Sequence, residues 1–213
     1  MSAEERVRHP LFARIYQRIS VKGEAKGEAA FRDELLDGVA GRVIEVGAGN
    51  GLNFGHYPKG VVEVLAVEPE PYLRARADAA AASAPVPVRV VDGVASRLPV
   101  GDASFDVGVA SLVLCSVADQ RRALAELFRV IRPGGELRFW EHILSDKPGF
   151  ARFQRAIDVV WPRVGGGCHA SRETVAAIEA AGFVIERARY FTFRVDVVEI
   201  PVAPKVIGLA RRP

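Results

Sequence analysis

The feature that most restricts this chain is a strand running straight into a glycine-rich turn, Val43-Ile44-Glu45-Val46-Gly47-Ala48-Gly49-Asn50-Gly51. A β-branched run that ends in alternating glycines presents bare main chain at the end of a buried strand, where a ligand can approach the backbone closely. From Gly41 onward such runs alternate with Ala-, Leu- and Arg-rich amphipathic segments. That is the pattern of strand-helix-strand units that build a parallel sheet covered by helices on both faces. The 213 residues, 49% of them hydrophobic and 26% charged, supply one sizeable core and predict a single α/β domain spanning 1–213.

The periodicities predict strands over Arg42–Val46, Val62–Val67, Val88–Val91, Phe105–Ala110 and Glu136–Glu141. Helices are predicted over Glu24–Leu36, Pro71–Ala82 and Asp119–Ile131. Asp119 is placed to cap the last of these, and Pro133-Gly134-Gly135 ends it before the next strand. Beyond His142 the alternation breaks. Phe150, Phe153, Ile157, Val160 and Trp161 trace a helical stripe, Gly165-Gly166-Gly167 follows, and Ser171 with Thr174 opens another helix. Phe183–Phe193 and Lys205–Leu209 read as closing strands. Residues 1–40 therefore form N-terminal helices or a lid, 41–142 the ligand-binding core, and 143–213 an insertion and the closing strands.

An N-terminal helix over Leu11–Ile19 carries Leu11, Phe12, Ile15, Tyr16 and Ile19 on one face, which is expected to pack on the core. A lid over a ligand, or peripheral contact with a membrane surface, are the functional alternatives. The polar start Met1–His9 lacks the apolar core of a secretory signal, and the weakly polar run Val107–Ala118 is shorter than the roughly 18 to 20 residues of a membrane-spanning helix. A net charge of +3 offers no dense basic stripe for nucleic acid. Two cysteines, Cys115 and Cys168, without a Cys-x-x-Cys pair, fit reduced thiols in a cytoplasm and predict no metal site.

Glu68 closes the second predicted strand, seventeen residues after Gly51, where a carboxylate can accept both hydroxyls of an adenosine ribose. Glycine turn and acid together indicate a nucleoside-type cofactor. The third glycine arrives one residue too early for the dinucleotide pattern, and none of Tyr16, Tyr57, Tyr72 and Tyr190 has a lysine four residues on, which disfavours a nicotinamide oxidoreductase.

These residues resemble the class I S-adenosylmethionine-dependent methyltransferases: Glu45–Gly51 their first motif, Glu68 their ribose acid, Leu98-Pro99 with Ser104-Phe105-Asp106 and Val130–Leu137 their later landmarks. The resemblance implies a doubly wound, mostly parallel, seven-stranded Rossmann-like sheet with an antiparallel last strand. S-adenosyl-L-methionine is the implied cofactor. It implies that Glu45 faces the amino group of the cofactor's methionine part and that Gly47, Ala48, Gly49, Gly51 and Asn53 form the turn. It places Glu68 and Pro69 at the ribose, Gly93, Val94 and Ala95 at the adenine, and Ser111 on the cofactor side. The family's acid at the position of Val94 is absent, with Asp92 nearby as its substitute.

A narrower resemblance covers nearly the whole chain. Gly51–Pro58, Ser111–Val117, Trp140-Glu141-His142 and Gly167–Glu173 look like the methyltransferase-like family 7 thiol methyltransferases, with Lys205 where that family has a histidine. It implies a small, rather apolar acceptor, preferably a thiol, with Tyr16, Leu112, Cys115 and Cys168 on its side. His142 is the candidate group for the acceptor's proton, and His169 a weaker one. A thiol asks little of the protein, because with a reference pKa of about 8.5 it is already partly ionised at neutral pH. Amine or phospholipid head-group N-methylation, and a non-catalytic cofactor-binding module, are the rival readings. The oligomeric expectation is a monomer or homodimer.

Overall fold

A computed structural model describes residues 10–193 and 200–213; the polar segment Met1–His9 lies outside them. In chain order the elements are α1 (Pro10–Gly23), a single wide turn (Glu24–Glu28), α2 (Ala29–Leu36), β1 (Gly41–Val46), β2 (Val61–Val67), α3 (Pro71–Ala81), β3 (Val88–Val91), β4 (Phe105–Ser111), α4 (Gln120–Val130), β5 (Ile131–His142), α5 (Pro148–Ile157), α6 (Trp161–Val164), α7 (Thr174–Ala180), β6 (Val184–Thr192) and β7 (Pro204–Arg211). The strands form one seven-stranded sheet in the order β3-β2-β1-β4-β5-β7-β6. β1 to β5 pair in parallel, and β7 runs antiparallel between β5 and β6.

The order reverses between β1 and β4, so the loops leaving these two strands diverge and open a crevice at their carboxyl ends. Two apolar layers hold the sheet. Ile44, Val46, Leu124, Leu127, Leu137 and Phe139 lie in one, and Leu35, Leu36, Val43, Val64, Val109 and Trp140 in the other. Asp119 accepts from the Arg122 amide at 2.9 Å and caps α4 as its sequence predicts.

Several expectations are corrected. The helix expected over Glu24–Leu36 is interrupted, because Gly27 sits at φ 109° and only Ala29–Leu36 continues as α helix. Ile131 is already extended, so β5 begins five residues before Glu136 and carries Pro133-Gly134-Gly135 within it. The stripe after Phe150 splits into α5 and α6. Ala151 and Gln154 are the buried residues of α5, while Phe153 and Val160 face outward. Gln154 is buried because its side chain holds four backbone groups, those of Ile143, Ser145, Ala170 and Pro201. Ser171 does not open a helix: its hydroxyl donates to Asp158, and α7 starts at Thr174.

The N-terminal helix turns only part of its expected face inward: Phe12 and Tyr16 lie over Gly166 and Gly49. Ala13, Ser20 and Gly23 are buried, whereas Leu11, Ile15 and Ile19 are exposed. Small residues are needed there because α1 lies directly on the glycine turn: Asn50 donates to the Ser20 hydroxyl at 3.1 Å, and a Cβ added at Gly49 would stand 3.4 Å from the Tyr16 ring. Phe12 covers Gly166 in the same way.

Candidate active site

The predicted cofactor residues come together along the carboxyl ends of β1, β2, β3 and β4. Gly47 and Gly49 take φ of 63° and 58°, left-handed values that L side chains adopt only with strain. A Cβ on Gly47 would also run into the Val113 side chain. The Gly47 and Ala48 amides donate to the Val67 carbonyl, which ties the turn to the end of β2. Gly51, at φ 79°, is pressed against Phe54 and Ala80, so its lack of a side chain serves packing.

Glu68 is buried at the end of β2, where its carboxylate accepts the Gly49 amide at 2.8 Å and the Glu70 amide at 2.9 Å. Burial pushes its pKa up to about 7, against the pull of those two amides. Glu45 is equally enclosed. Its oxygens accept from Asn53 at 2.8 Å and from the Tyr57 hydroxyl at 2.7 Å, and burial raises it to about 7. Asn53 in turn accepts from Arg32 at 2.7 Å, so Arg32 and Tyr57 complete a polar network that reading the sequence left incomplete. The Gly51–Pro58 motif contained Tyr57; Arg32, from α2, carried no local signal.

The adenine-side residues Gly93, Val94 and Ala95 follow β3 and are half-buried. Asp92, the substitute acid, is exposed and paired with Arg74 at 3.1 Å. Arg74 also donates to the Glu68 and Pro69 carbonyls, which fixes the chain at Pro69. Ser111, at the end of β4, has a buried hydroxyl without a protein partner among the described residues. An orphaned buried hydroxyl calls for a ligand or water. With the bare turn and two enclosed carboxylates it matches the donor set for a nucleoside carrying an amino-acid tail.

The residues expected on the acceptor side gather around the segment after β4. Leu112 adopts φ 56° and donates its amide to the Trp140 carbonyl, breaking the strand. The amides of Val113, Leu114 and Cys115 then all donate to the buried Glu141 carboxylate, at 3.1, 2.9 and 3.0 Å. The guanidinium of Arg172 donates to the Leu114 and Val117 carbonyls, so Glu141 holds the amides of this loop and Arg172 its carbonyls. Sequence reasoning assigned neither residue a role, although both lie within the motifs quoted for the family resemblance.

This clamp brings together residues far apart in sequence. Cys115 and Cys168 have their sulfurs 3.7 Å apart, and each sulfur lies 3.4 Å from Nδ1 of His142. Both cysteines are buried and free, and His142 is half-buried. The contact between the thiols, with burial, pushes Cys115 up to about 12, and the same contact holds Cys168 below its ordinary value against the opposing effect of burial. His169 is engaged elsewhere, with Asp158 at 2.9 Å. Tyr16 lies over Gly49, and burial raises its hydroxyl to about 12. A cleft of about 870 Å³ beside Ile143–Lys147 and Tyr190–Thr192 stands apart from the glycine turn.

Residues 44–139 match the methyltransferase domain family. Over 211 residues the chain is 36% identical to thiol S-methyltransferase TMT1B of Rattus norvegicus, which spans 94% of this chain and 82% of that one. The human TMT1B is 35% identical over 82% of this chain and 73% of its own length. The chain belongs to the methyltransferase-like family 7. Its fold agrees with the solved S-adenosylmethionine-dependent methyltransferase of Mesorhizobium loti, at a TM-score of 0.65 and 22% identity over 88% of this chain and 99% of the other. This family-7 member is an S-adenosyl-L-methionine-dependent methyltransferase. Among the described residues no helix is long and apolar enough to cross a membrane.

Proposed function

We propose that this methyltransferase methylates the sulfur of a small, apolar thiol. The observation that carries the reading is the composition of the acceptor end: an imidazole flanked by two thiols, on a loop held rigid by Glu141 and Arg172. Likeness over most of the chain to relatives named as thiol S-methyltransferases supports it. The two free cysteines support a reducing, cytoplasmic setting.

When bound, the donor supplies a methyl group on a positively charged sulfur. The chain's own work is placement. Glu45 receives the ammonium of the methionine part, Glu68 and Pro69 the ribose, Gly93–Ala95 the adenine and Ser111 an open hydrogen bond. The Gly47–Gly51 turn lets these groups come against main chain, and Asn53 keeps Glu45 in position. α1, with Tyr16 over Gly49, shields the crevice from water. In-line displacement needs the attacking atom roughly 3 to 3.5 Å from the methyl carbon. Leu112, Cys115, Cys168 and His142 form the wall that orients the acceptor.

The test is a panel of alkyl and aryl thiols beside primary amines and ethanolamine phospholipid vesicles, with thioether and S-adenosylhomocysteine measured by mass spectrometry. Thioether products are expected. Methylated amines, or S-adenosylhomocysteine binding with no product from any thiol, would replace the thiol reading with head-group methylation or with a non-catalytic module.

A further inference from the structure

We infer that Cys115, His142 and Cys168 form a three-ligand site for a zinc-class metal ion, with a fourth position open to the sulfur of the acceptor. The argument is geometric. A tetrahedral zinc with bonds of about 2.3 Å to sulfur and 2.0–2.1 Å to nitrogen holds its ligands with S···S near ~3.8 Å and S···N near ~3.6 Å. The observed triangle is 3.7 Å between the sulfurs and 3.4 Å from each sulfur to Nδ1. All three donor atoms lie within 4.8 Å of one another. The expectation of no metal came from spacing along the chain, which cannot register ligands supplied by three segments that meet only in the fold.

The donor set and its surroundings agree with this. Two sulfurs and one imidazole suit zinc over magnesium or calcium, which take oxygen. Three protein ligands with one position open is the arrangement of catalytic rather than structural zinc. The cysteines are buried while His142 is half-buried, so the cluster is not wholly closed off. Both cysteines are fixed before any ion arrives. Cys115 is held by its amide to Glu141 and by its carbonyl, which accepts the His169 amide at 2.8 Å. Cys168 follows Gly167, whose φ of 88° leaves no room for a side chain against the Ser116 carbonyl. Val113, two residues before Cys115, lies over Gly47, so one short loop joins this cluster to the cofactor turn.

The occupancy of the fourth position rests on the thiol reading; the metal site does not. A thiol that binds there releases its proton to solvent and is held as thiolate. Its sulfur then forms the new bond to the methyl carbon as the donor's methyl–sulfur bond breaks, and that electron pair stays on the departing sulfur. The products are a thioether and S-adenosylhomocysteine.

The experiment is titration of the reduced, chelator-stripped chain with Zn2+, followed by elemental analysis, and with Co2+, followed by absorption spectroscopy. One equivalent per chain is expected, with sulfur-to-cobalt charge-transfer bands and the intense visible bands of tetrahedral cobalt. Cys168→Ser and His142→Ala should each weaken Zn2+ binding by roughly 100-fold or more, since even groups behind the ligands are worth 10- to 100-fold. S-adenosylhomocysteine should still raise the melting temperature of both variants, which shows them folded. Adding a small thiol should shift the cobalt spectrum, and stripped enzyme should lose thiol turnover that Zn2+ restores. A reduced chain that responds to S-adenosylhomocysteine yet binds neither ion overturns the site. So do cobalt bands that persist in Cys168→Ser, and a Cys115–Cys168 disulfide that forms readily in a chain binding neither ion. Equal thiol turnover with and without metal overturns the role of the fourth position. A bound ion in an enzyme that methylates only amines sinks the thiol reading and leaves the metal site standing.

Discussion

The two halves of the crevice are built by different means. On the cofactor side, the turn after β1 and the acid after β2 lie nineteen residues apart in the Gly49–Glu68 bond, and consecutive strands bring them together. On the proposed acceptor side, Cys115 meets Cys168 across 53 residues and Leu114 meets Arg172 across 58, by way of α4, β5, α5, α6 and a glycine exit. A site made from neighbouring strands is inherited from the sheet. One made from distant loops needs its own supports, and here those are Glu141, Arg172 and Gln154, each buried or partly buried and each holding several backbone groups. The cofactor side should therefore respond to changes of backbone shape, and the acceptor side to loss of these clamping side chains.

The strongest way to break the comparison is Gly47→Val. A left-handed φ strained by roughly 1–3 kcal/mol, with overlap against Val113, should weaken S-adenosylhomocysteine binding by about 100-fold or more in calorimetry. Normal affinity would mean that the turn does not depend on bare main chain. Next comes Glu141→Ala, which strands three amides, two buried and one partly buried, at ~1–3 kcal/mol for each buried one before relaxation, and should cost about 3 kcal/mol of stability in denaturant unfolding. Methyl transfer should fall with it, while cofactor affinity stays within about threefold. If affinity falls as far as in Gly47→Val, the two halves are not separable.

The same contrast explains what could be read in the sequence. β1, β2, β3, α3 and α4 follow from periodicity and punctuation, and Gly47, Gly49 and Glu68 from a short spacing, because local geometry dictates each. Amphipathic stripes were less informative. Leu11, Phe12, Ile15, Tyr16 and Ile19 share a helical face, yet only Phe12 and Tyr16 of these lie on glycines of the core, beside the buried Ala13, Ser20 and Gly23, while Leu11, Ile15 and Ile19 are exposed. Gly27 broke a helix that propensity favoured, since its φ of 109° belongs to a bend between α1 and α2. Glu141 and Arg172 look like ordinary charges in sequence. Their function exists only when the loop after β4 lies between them, and no spacing records that.

A smaller effect sharpens the cofactor side alone. Glu68→Gln keeps the shape and one acceptor oxygen but removes the charge that receives the Gly49 amide and, in the proposed site, the ribose hydroxyls. Hydrogen bonds to charged acceptors are worth about 1.5–3 kcal/mol, so S-adenosylhomocysteine affinity should drop roughly 30-fold with thioether chemistry intact at saturation. A drop confined to turnover would move Glu68 out of the ribose position.

The smallest effect is a pH dependence peculiar to this half. Glu45 and Glu68 stand at about 7 in the folded chain against an ordinary 4.5, because burial disfavours their charge. Between those values the folded chain binds more protons than the unfolded one. Their contribution to stability is therefore full below about 4.5 and is lost as pH rises through about 7. In the proposed site donor binding runs the other way, since an ammonium beside Glu45 and hydroxyls donated to Glu68 would favour the ionised forms. The rise in melting temperature on adding S-adenosylhomocysteine should widen between pH 6 and pH 8, with affinity about fivefold higher at the upper end. Glu68→Gln should flatten roughly half of that slope and Glu141→Gln none of it. If the slope survives in Glu68→Gln, the proton that binding displaces sits outside the ribose pocket, and Glu45 alone couples the cofactor half to pH.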